Sequence, residues 1–176
     1  GKAIFCEKPL AVDLRSAREI YKLAKGRIPF MMAFVLRWWP VYERLKEELK
    51  SGRLGKPILL WLTDIGYWRE VLKKTPWRRK RELNSGIIEQ LIHEIDIARF
   101  LAGEVSEVHA YGLRRFFEEI DYEDNVLFTM RFREGCIGNI VGSISSMIGN
   151  RMGMLIAEKG TALFDTRRQY LKIAYA

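Results

Sequence analysis

The segment SGIIEQLIHEID, residues 85–96, carries the side chains best suited to chemistry. Glu89, His93 and Asp96 are spaced at i, i+4 and i+7, so they lie on one stripe of a helix. An imidazole with an ordinary pKa of about 6.5 exchanges protons near neutral pH, and a nearby carboxylate can orient it or stabilise its charge. The stripe predicts acid–base chemistry, and spacing alone leaves open the alternative of an ordinary solvated polar face.

A metal site is the other chemistry that this stripe could support. The chain has only two histidines, and the second, His109, falls in a predicted strand far from the first. The two cysteines, Cys6 and Cys136, cannot form a four-thiolate zinc site or a disulfide framework, and they favour a reducing compartment. We therefore expect no metal, and we expect a cytoplasmic protein.

A second reactive candidate is CEKPLA, residues 6–11. An apolar run over residues 3–6 is typical of a buried strand, and Glu7 and Lys8 then place opposite charges beside Pro9. Proline has a fixed φ and no N–H, so it does not continue a central strand. The stretch predicts a charged loop at the end of a strand, and we expect an earlier part of the same domain to precede it.

The elements around this loop form a recognisable unit. Asp13 is a good N-cap for a helix that closes at Gly26, and the apolar run over residues 28–35 predicts a strand buried on both faces. Strand, helix and strand in this order belong to a parallel sheet. Because one such unit is too little for a doubly wound domain, we interpret residues 1–37 as the end of one.

Residues 38–176 predict a different architecture. Helices are expected from Pro40 to about residue 50 and over 86–102, where Gly103 stops the second one. The predicted strands cover residues 56–66, 108–114, 126–132, 136–145, 152–157, 161–165 and 170–175. The fold class is therefore α/β in the α+β sense, with a mostly antiparallel sheet and helices on one face.

Composition and charge narrow the class of protein. The chain has 176 residues, 48% hydrophobic and 30% charged, and its longest apolar run is far shorter than the roughly 20 residues of a membrane span. The net charge is +8, and the densest basic cluster is WRRKRE, residues 77–82. No nucleic-acid motif accompanies the cluster, so nucleic acid is not expected. A solvated basic loop is the simplest interpretation, and binding of an anionic substrate or cofactor phosphate is the alternative.

Five segments, in order, resemble the glucose-fructose oxidoreductase and inositol dehydrogenase family, Gfo/Idh/MocA. They are GKAIFCEKPLAVDLRSAREI, MAFVLRWWPVYERLKEELKSGRLGKP, SGIIEQLIHEIDIARFLAGEVSEVHA, DNVLFTMRFREGCIGNIVGSIS and AEKGTALFD. They cover nearly the whole chain. The resemblance implies an NAD- or NADP-dependent oxidoreductase that transfers hydride between nicotinamide and a hydroxyl carbon of a sugar or polyol.

The resemblance also implies roles for individual residues. Lys8 is the loop lysine that hydrogen-bonds substrate near the nicotinamide, and His93 is the helix histidine that accepts the substrate hydroxyl proton. Glu89 is the third catalytic candidate. Glu7, Lys8 and Pro9 are the cofactor-binding candidates, and Arg37, Trp77 and Asp96 are expected around the substrate or in support of the catalytic groups.

The sequence departs from the family's pattern at three positions. Glu89 stands where aspartate is common, Leu91 where glycine is frequent, and Ser85 before Gly86 leaves half of a usual glycine pair. We expect the longer Glu89 and the bulkier Leu91 to alter the pocket.

The sequence holds no G-x-G-x-x-G segment, the loop that cradles a dinucleotide pyrophosphate. We therefore expect residues 1–176 alone to bind NAD or NADP weakly and to be inactive. The alternative function is a non-catalytic module that oligomerises. The segments CIGNIVGSI and NVLFTMRF have apolar residues on both alternating positions, which predicts an exposed hydrophobic sheet face and a homo-oligomer.

Overall fold

The computed structural model describes residues 1–176, and it begins with a small strand–helix–strand unit. Strand β1 (Ile4–Cys6) lies parallel to β2 (Phe30–Met32), and helix α1 (Leu14–Ala24) connects them. The side chain of Asp13 caps α1 by accepting a hydrogen bond of 2.9 Å from the N–H of Ser16. The predicted parallel unit and its N-cap are confirmed.

Strand β2 is much shorter than the predicted strand over residues 28–35. The N–H of Ala33 still bonds to the carbonyl of Cys6, but the N–H of Phe34 turns back to the carbonyl of Met32. A 3-10 turn, Val35–Trp38, follows directly. The apolar pattern therefore continues through a turn and does not mark one strand.

The rest of the chain builds a large sheet with helices α2 (Pro40–Lys50) and α5 (Ile88–Ala102). The strands run in the order β10–β9–β8–β3–β6–β5–β4, and β7 pairs with β3. All neighbouring pairs are antiparallel except β3 and β6, which confirms a mostly antiparallel sheet. The strands are β3 (Pro57–Tyr67), β4 (Val105–Leu113), β5 (Asn125–Phe132), β6 (Ile137–Ser143), β7 (Ser145–Asn150), β8 (Met152–Ala157), β9 (Gly160–Asp165) and β10 (Tyr170–Tyr175).

Two predictions in this region are corrected by the backbone. The single strand predicted over residues 136–145 is divided between β6 and β7, because the backbone of Ile144 leaves the ladder: its N–H bonds to Asp124 and its carbonyl accepts from Trp68. The polar stretch between β3 and α5 contains the short helices α3 (Arg69–Lys74) and α4 (Arg81–Asn84) and a 3-10 turn, Pro76–Arg79.

Helix α5 packs on the inner face of the sheet and closes the main core. Leu91 is fully buried there, and a Cβ added to Gly142 of β6 would lie 2.3 Å from its Cδ1 atom. Leu91 therefore fills the space that Gly142 leaves. The expectation that Leu91 alters the pocket is wrong, because its side chain points into the sheet.

The opposite face of the sheet is uncovered. Trp61, Asn139, Thr129 and His109 form one row across β3, β6, β5 and β4 on this face. Several large apolar side chains are exposed on the same strands, namely Tyr111, Leu127 and Ile137. Helices on one face of the sheet are thus confirmed. None of the helices is long and apolar enough to cross a membrane.

Candidate active site

A cavity of about 310 Å³ lies where the loop after β1 meets α5 and the end of β3. This volume is at the small end of ligand sites, roughly 300–1,000 Å³, and suits a molecule of monosaccharide size. The lining is mostly polar, with four cationic and two acidic side chains. It consists of Lys8, Asp64, Trp68, Val71, Arg78, Glu89, Gln90, His93, Arg151 and Arg167.

Glu89 gathers two cations at one end of this cavity. The Nζ atom of Lys8 donates to the backbone oxygen and to Oε1 of Glu89, both at 2.9 Å. The Nη1 atom of Arg78 binds the other carboxylate oxygen. Because Glu89 is only 4% exposed, the polar stripe of α5 is not the solvated face that spacing alone left open.

Arg78 is held in place from several sides. Its backbone oxygen accepts hydrogen bonds from Nδ2 of Asn84 at 2.5 Å and from the hydroxyl of Tyr122 at 2.6 Å. Its guanidinium lies 4.5 Å from the ring centre of Trp77 and 5.3 Å from that of Trp68. Such stacking favours a fixed guanidinium.

The basic cluster of residues 77–82 is therefore not a solvated loop. Arg78 turns into the cavity, Lys80 lies 3.8 Å from Asp121, and Arg81 pairs with Glu123. Trp77 is 44% exposed and lies outside the cavity lining, so it reaches the site only through Arg78.

His93 lines the cavity one helical turn after Glu89. Its Nδ1 atom is buried without a hydrogen-bond partner, so Nε2 is the ring nitrogen that can meet a molecule in the cavity. Burial, followed by the charges of Lys8 and Arg151, lowers the pKa of His93 to about 4. The imidazole is neutral at physiological pH and free to accept a proton.

Asp96, the third residue of the stripe, forms an ion pair outside the cavity. Its two oxygens accept from Nε and Nη2 of Arg37 at 2.7 and 2.5 Å, and Asp96 is 4% exposed. This pairing raises the pKa of Arg37. Arg37 lines a separate depression beside Phe100, and neither Arg37 nor Asp96 lines the cavity.

The loop residues beside Lys8 also lie outside the cavity lining. One carboxylate oxygen of the exposed Glu7 accepts the backbone N–H of Lys8 at 3.2 Å. The bond between Lys8 and Pro9 is cis. Of the three cofactor candidates in this loop, only Lys8 reaches the cavity.

The turn before α5 explains one departure from the family's pattern. Ser85 adopts a left-handed conformation with φ of 67°, a region that favours glycine. Its hydroxyl donates to the carbonyl of Val12 at 2.8 Å, which ties the turn to the N-terminal unit. Gly86 also has positive φ, and a Cβ there would lie 3.1 Å from Tyr122.

The far wall of the cavity was missed by the sequence analysis. Arg151 donates from Nη2 to Asp64 at 2.7 Å, and its Nε lies 2.9 Å from Oε1 of Glu94. Burial, followed by the charge of Asp64, raises the pKa of Glu94 to about 8. A charged residue in the apolar strand PILLWLTDIGY was a usable signal for Asp64. The sequence around Arg151 and around Arg167 contained no pattern that indicated a place in the site.

Comparison with known proteins points to one family. The family model described as GFO/IDH/MocA C-terminal domain matches residues 42–163. Myo-inositol 2-dehydrogenase of Thermotoga maritima is 30% identical over 96% of this chain and 51% of its own length. Scyllo-inositol 2-dehydrogenase (NAD(+)) of Bacillus subtilis is 29% identical over 100% of this chain and 52% of its own length.

Solved structures agree with this result. A levoglucosan dehydrogenase in complex with NADH superposes with a TM-score of 0.91 at 25% identity, over 99% of this chain and 51% of that one. A WlbA dehydrogenase from Bordetella pertussis at 22% identity, with a TM-score of 0.89 over 100% of this chain and 56% of that one, supports the fold alone. The chain spans about half the length of the relatives it matches.

Proposed function

Because the chain belongs to the GFO/IDH/MocA family, we propose that its cavity is the substrate site of an NAD- or NADP-dependent oxidoreductase acting on a hydroxyl of a sugar or polyol. The observation that carries the proposal is the meeting of His93 and Lys8 in one cavity. A neutral imidazole and a fixed ammonium are the two groups that removal of a hydroxyl proton needs.

Each residue then has a defined task. The substrate O–H bond breaks as its proton passes to Nε2 of His93, the C–H bond breaks as hydride leaves, and the C–O bond becomes a carbonyl. Lys8 donates to the developing alkoxide, and Glu89 fixes Lys8 through its two 2.9 Å contacts. When bound, the nicotinamide supplies the acceptor for the hydride.

The residues present fit the nicotinamide end of such a cofactor. Lys8 already reaches the cavity, and Glu7 and Pro9 flank it outside the lining, so these three would hold the ring. The pyrophosphate needs a glycine-rich loop, and residues 1–176 contain no G-x-G-x-x-G. We propose that these residues alone bind NAD(H) or NADP(H) no better than about millimolar and are inactive. Calorimetric titration tests this, and micromolar affinity would contradict it.

The test of the catalytic role uses both histidines of the chain. In protein that binds NAD and turns over a polyol, His93→Ala should lower turnover by about a hundredfold or more, with cofactor affinity little changed. His109→Ala is the matched control, because His109 lies on the uncovered sheet face. Lys8→Ala should also lower turnover. Normal rates in both the His93 and Lys8 variants would refute the assignment.

We further propose that the protein forms a homo-oligomer through the uncovered sheet face. The exposed apolar side chains Tyr111, Leu127 and Ile137 support this, because a contiguous exposed apolar patch is typical of a protein interaction site. Light scattering is the test, and a monomer at micromolar concentration would argue against it.

A cytoplasmic location is part of the same proposal. Both cysteines are free, which suits a reducing compartment. Fractionation of cells that express the tagged protein would test it, and recovery outside the cytoplasm would contradict it.

A further inference from the structure

Each end of the cavity lining has two cations around one carboxylate. At the α5 end, Lys8 and Arg78 share the carboxylate of Glu89. At the far end, two arginines, Arg151 and Arg167, share the carboxylate of Asp64, at 2.7 and 3.9 Å. At the far end Arg151 also pairs with Glu94 at 2.9 Å, so Arg167 is the cation there that no carboxylate binds closely.

Arg167 is the least neutralised cation of the lining. Its Nη2 donates to the backbone oxygen of Ile65 at 3.0 Å, and its side chain remains 49% exposed. A Cβ added at Gly149 would lie only 2.2 Å from its Nη1 atom, and one at Gly66 would lie 3.6 Å from Nη2. The backbone oxygen of Ile65 binds this guanidinium, and the two glycines leave the space that it occupies. None of these groups carries a charge that would neutralise it.

The neighbours of Arg167 leave that charge available to a ligand. Glu94 forms its ion pair with Arg151, and no ion pair joins it to Arg167. Gln90 also lines the cavity, is 7% exposed, and its Oε1 has no hydrogen-bond partner. A buried polar group without a partner is uncommon unless a water or ligand completes it.

We propose that the cavity takes a hydroxy acid of monosaccharide size, whose carboxylate binds Arg167 and Arg151 while the hydroxyl to be oxidised lies at Lys8 and His93. This rests on the proposed function and makes Arg167 the residue that selects acids over neutral polyols. A guanidinium matches a carboxylate in geometry and charge. A neutral polyol leaves the excess charge of the far wall unpaired, which discriminates against it.

The test compares matched acids and neutral compounds by calorimetry on the 176-residue chain. The pairs are D-gluconate with D-sorbitol and D-glucuronate with D-glucose. We expect each acid to bind about tenfold or more tightly than its neutral partner, and Arg167→Met to remove most of this difference. Arg167→Lys should retain part of it, because the charge remains but the fork is lost.

Two further variants keep the test specific. Arg168→Met removes the same charge one residue later, where the side chain is 85% exposed and outside the cavity, and it should leave acid binding unchanged. Gly149→Ala keeps the charge of Arg167 but displaces its guanidinium, so it should weaken acid binding. Thermal unfolding of every variant checks that the fold is retained.

The outcomes separate this proposal from the redox function. Equal affinity for acids and neutral compounds, or an equal loss in the Arg168 and Arg167 variants, would overturn the acid subsite. His93→Ala should keep the preference for acids, because it acts on the hydroxyl end. An Arg167-dependent preference with no oxidation of any acid, in protein that binds NAD, would retain the subsite and refute the proposed function.

Discussion

The N-terminal region, residues 1–37, and the sheet region, residues 38–176, bury their apolar side chains to different extents. Of the 27 residues in the main core cluster, only Leu36 comes from the first region. Phe5, Leu14 and Leu23 are each more than 60% exposed. Two three-residue strands and one helix cover too little surface to be stable alone, and within residues 1–176 the sheet region supplies their contacts.

The contacts that provide this order converge on α5 and the turn before it. Lys8 bonds to Glu89, Arg37 to Asp96, and the hydroxyl of Ser85 to the carbonyl of Val12. The active-site candidates therefore span the boundary between a region with a core and a region without one. Polar contacts fix the position of the Lys8 side chain, whereas the packing of helix α5 on the sheet fixes the position of His93.

Core truncation should give the largest contrast between the two regions. Phe164→Ala removes a fully buried ring and should lower the free energy of unfolding by about 3–5 kcal/mol. Phe5→Ala removes a side chain that is 67% exposed, so the free energy of unfolding should change by less than about 0.5 kcal/mol. Urea denaturation measures both free energies of unfolding. Similar losses in the two variants would contradict the difference in burial between the two regions.

The ion pair at the boundary should matter more than an ion pair on the surface. Asp96→Asn leaves Arg37 without its buried carboxylate and should destabilise by about 2–3 kcal/mol, less than a fully buried pair because Arg37 is 40% exposed. Glu107→Gln breaks a pair with Arg131 in which both side chains are at least 65% exposed, and should cost less than about 0.5 kcal/mol. A shift in urea midpoint as large for Glu107→Gln as for Asp96→Asn would show that burial does not set the difference.

The buried groups of the cavity predict how stability depends on pH. Folding raises the pKa of Glu94 from 4.5 to about 8. Between these pH values the folded protein holds a proton that the unfolded chain has lost, so stability falls as pH rises from 4.5 to 8. Folding lowers the pKa of His93 from 6.5 to about 4. Between these pH values the unfolded chain binds a proton that the folded protein does not, so stability falls as pH drops from 6.5 to 4. The two effects oppose each other where these windows overlap, from pH 4.5 to 6.5, so a broad stability maximum is expected there.

Single variants should remove one side of that maximum. Glu94→Gln should flatten the alkaline side and His93→Gln the acidic side, each by on the order of 1 kcal/mol after allowance for solvent screening. Thermal unfolding from pH 3.5 to 9 measures both. Unchanged profiles in the two variants would mean that other groups control the pH dependence.

The smallest effect is local. Lys8→Met breaks the contacts with Glu89, so backbone amides of β1 and β2 should exchange with solvent faster, while those of β3 and β6 keep their protection. Global stability should fall by less than in Asp96→Asn, because the buried Glu89 keeps Arg78 as an ion-pair partner. Lys2→Met, at an exposed residue without a recorded side-chain contact, is the control for loss of charge. Uniform exchange across both regions would contradict a separate N-terminal unit.

Local patterns predicted the fold well where elements are long. Helices α2 and α5 and strands β8 and β10 match their predicted bounds closely, because proline, glycine and periodicity mark them within the sequence. The strand predicted over residues 28–35 was too long, because β2 covers only Phe30–Met32, and the division between β6 and β7 was not predicted. The division depends on backbone hydrogen bonds of Ile144 to the distant residues Asp124 and Trp68, and the end of β2 depends on a local turn within an unbroken apolar pattern.

The site was predictable in part for the same reason. Glu89 and His93 share a helix, so their spacing alone placed them together. Asp64 and Arg151 are 87 residues apart, and only the pairing of β3 with β7 and β8 brings them into one wall. Arg37 and Trp77 come from the resemblance to a family; Trp77 contacts the lining residue Arg78, whereas Arg37 pairs with Asp96 outside the cavity.

The fit of Leu91 against Gly142 limits how this sequence can diverge. Shortening Leu91 alone leaves a void under the sheet, and enlarging Gly142 alone drives a methyl group into the Leu91 side chain. The energetic cost of a change at either position therefore depends on the residue at the other, although the two positions are 51 residues apart in the sequence.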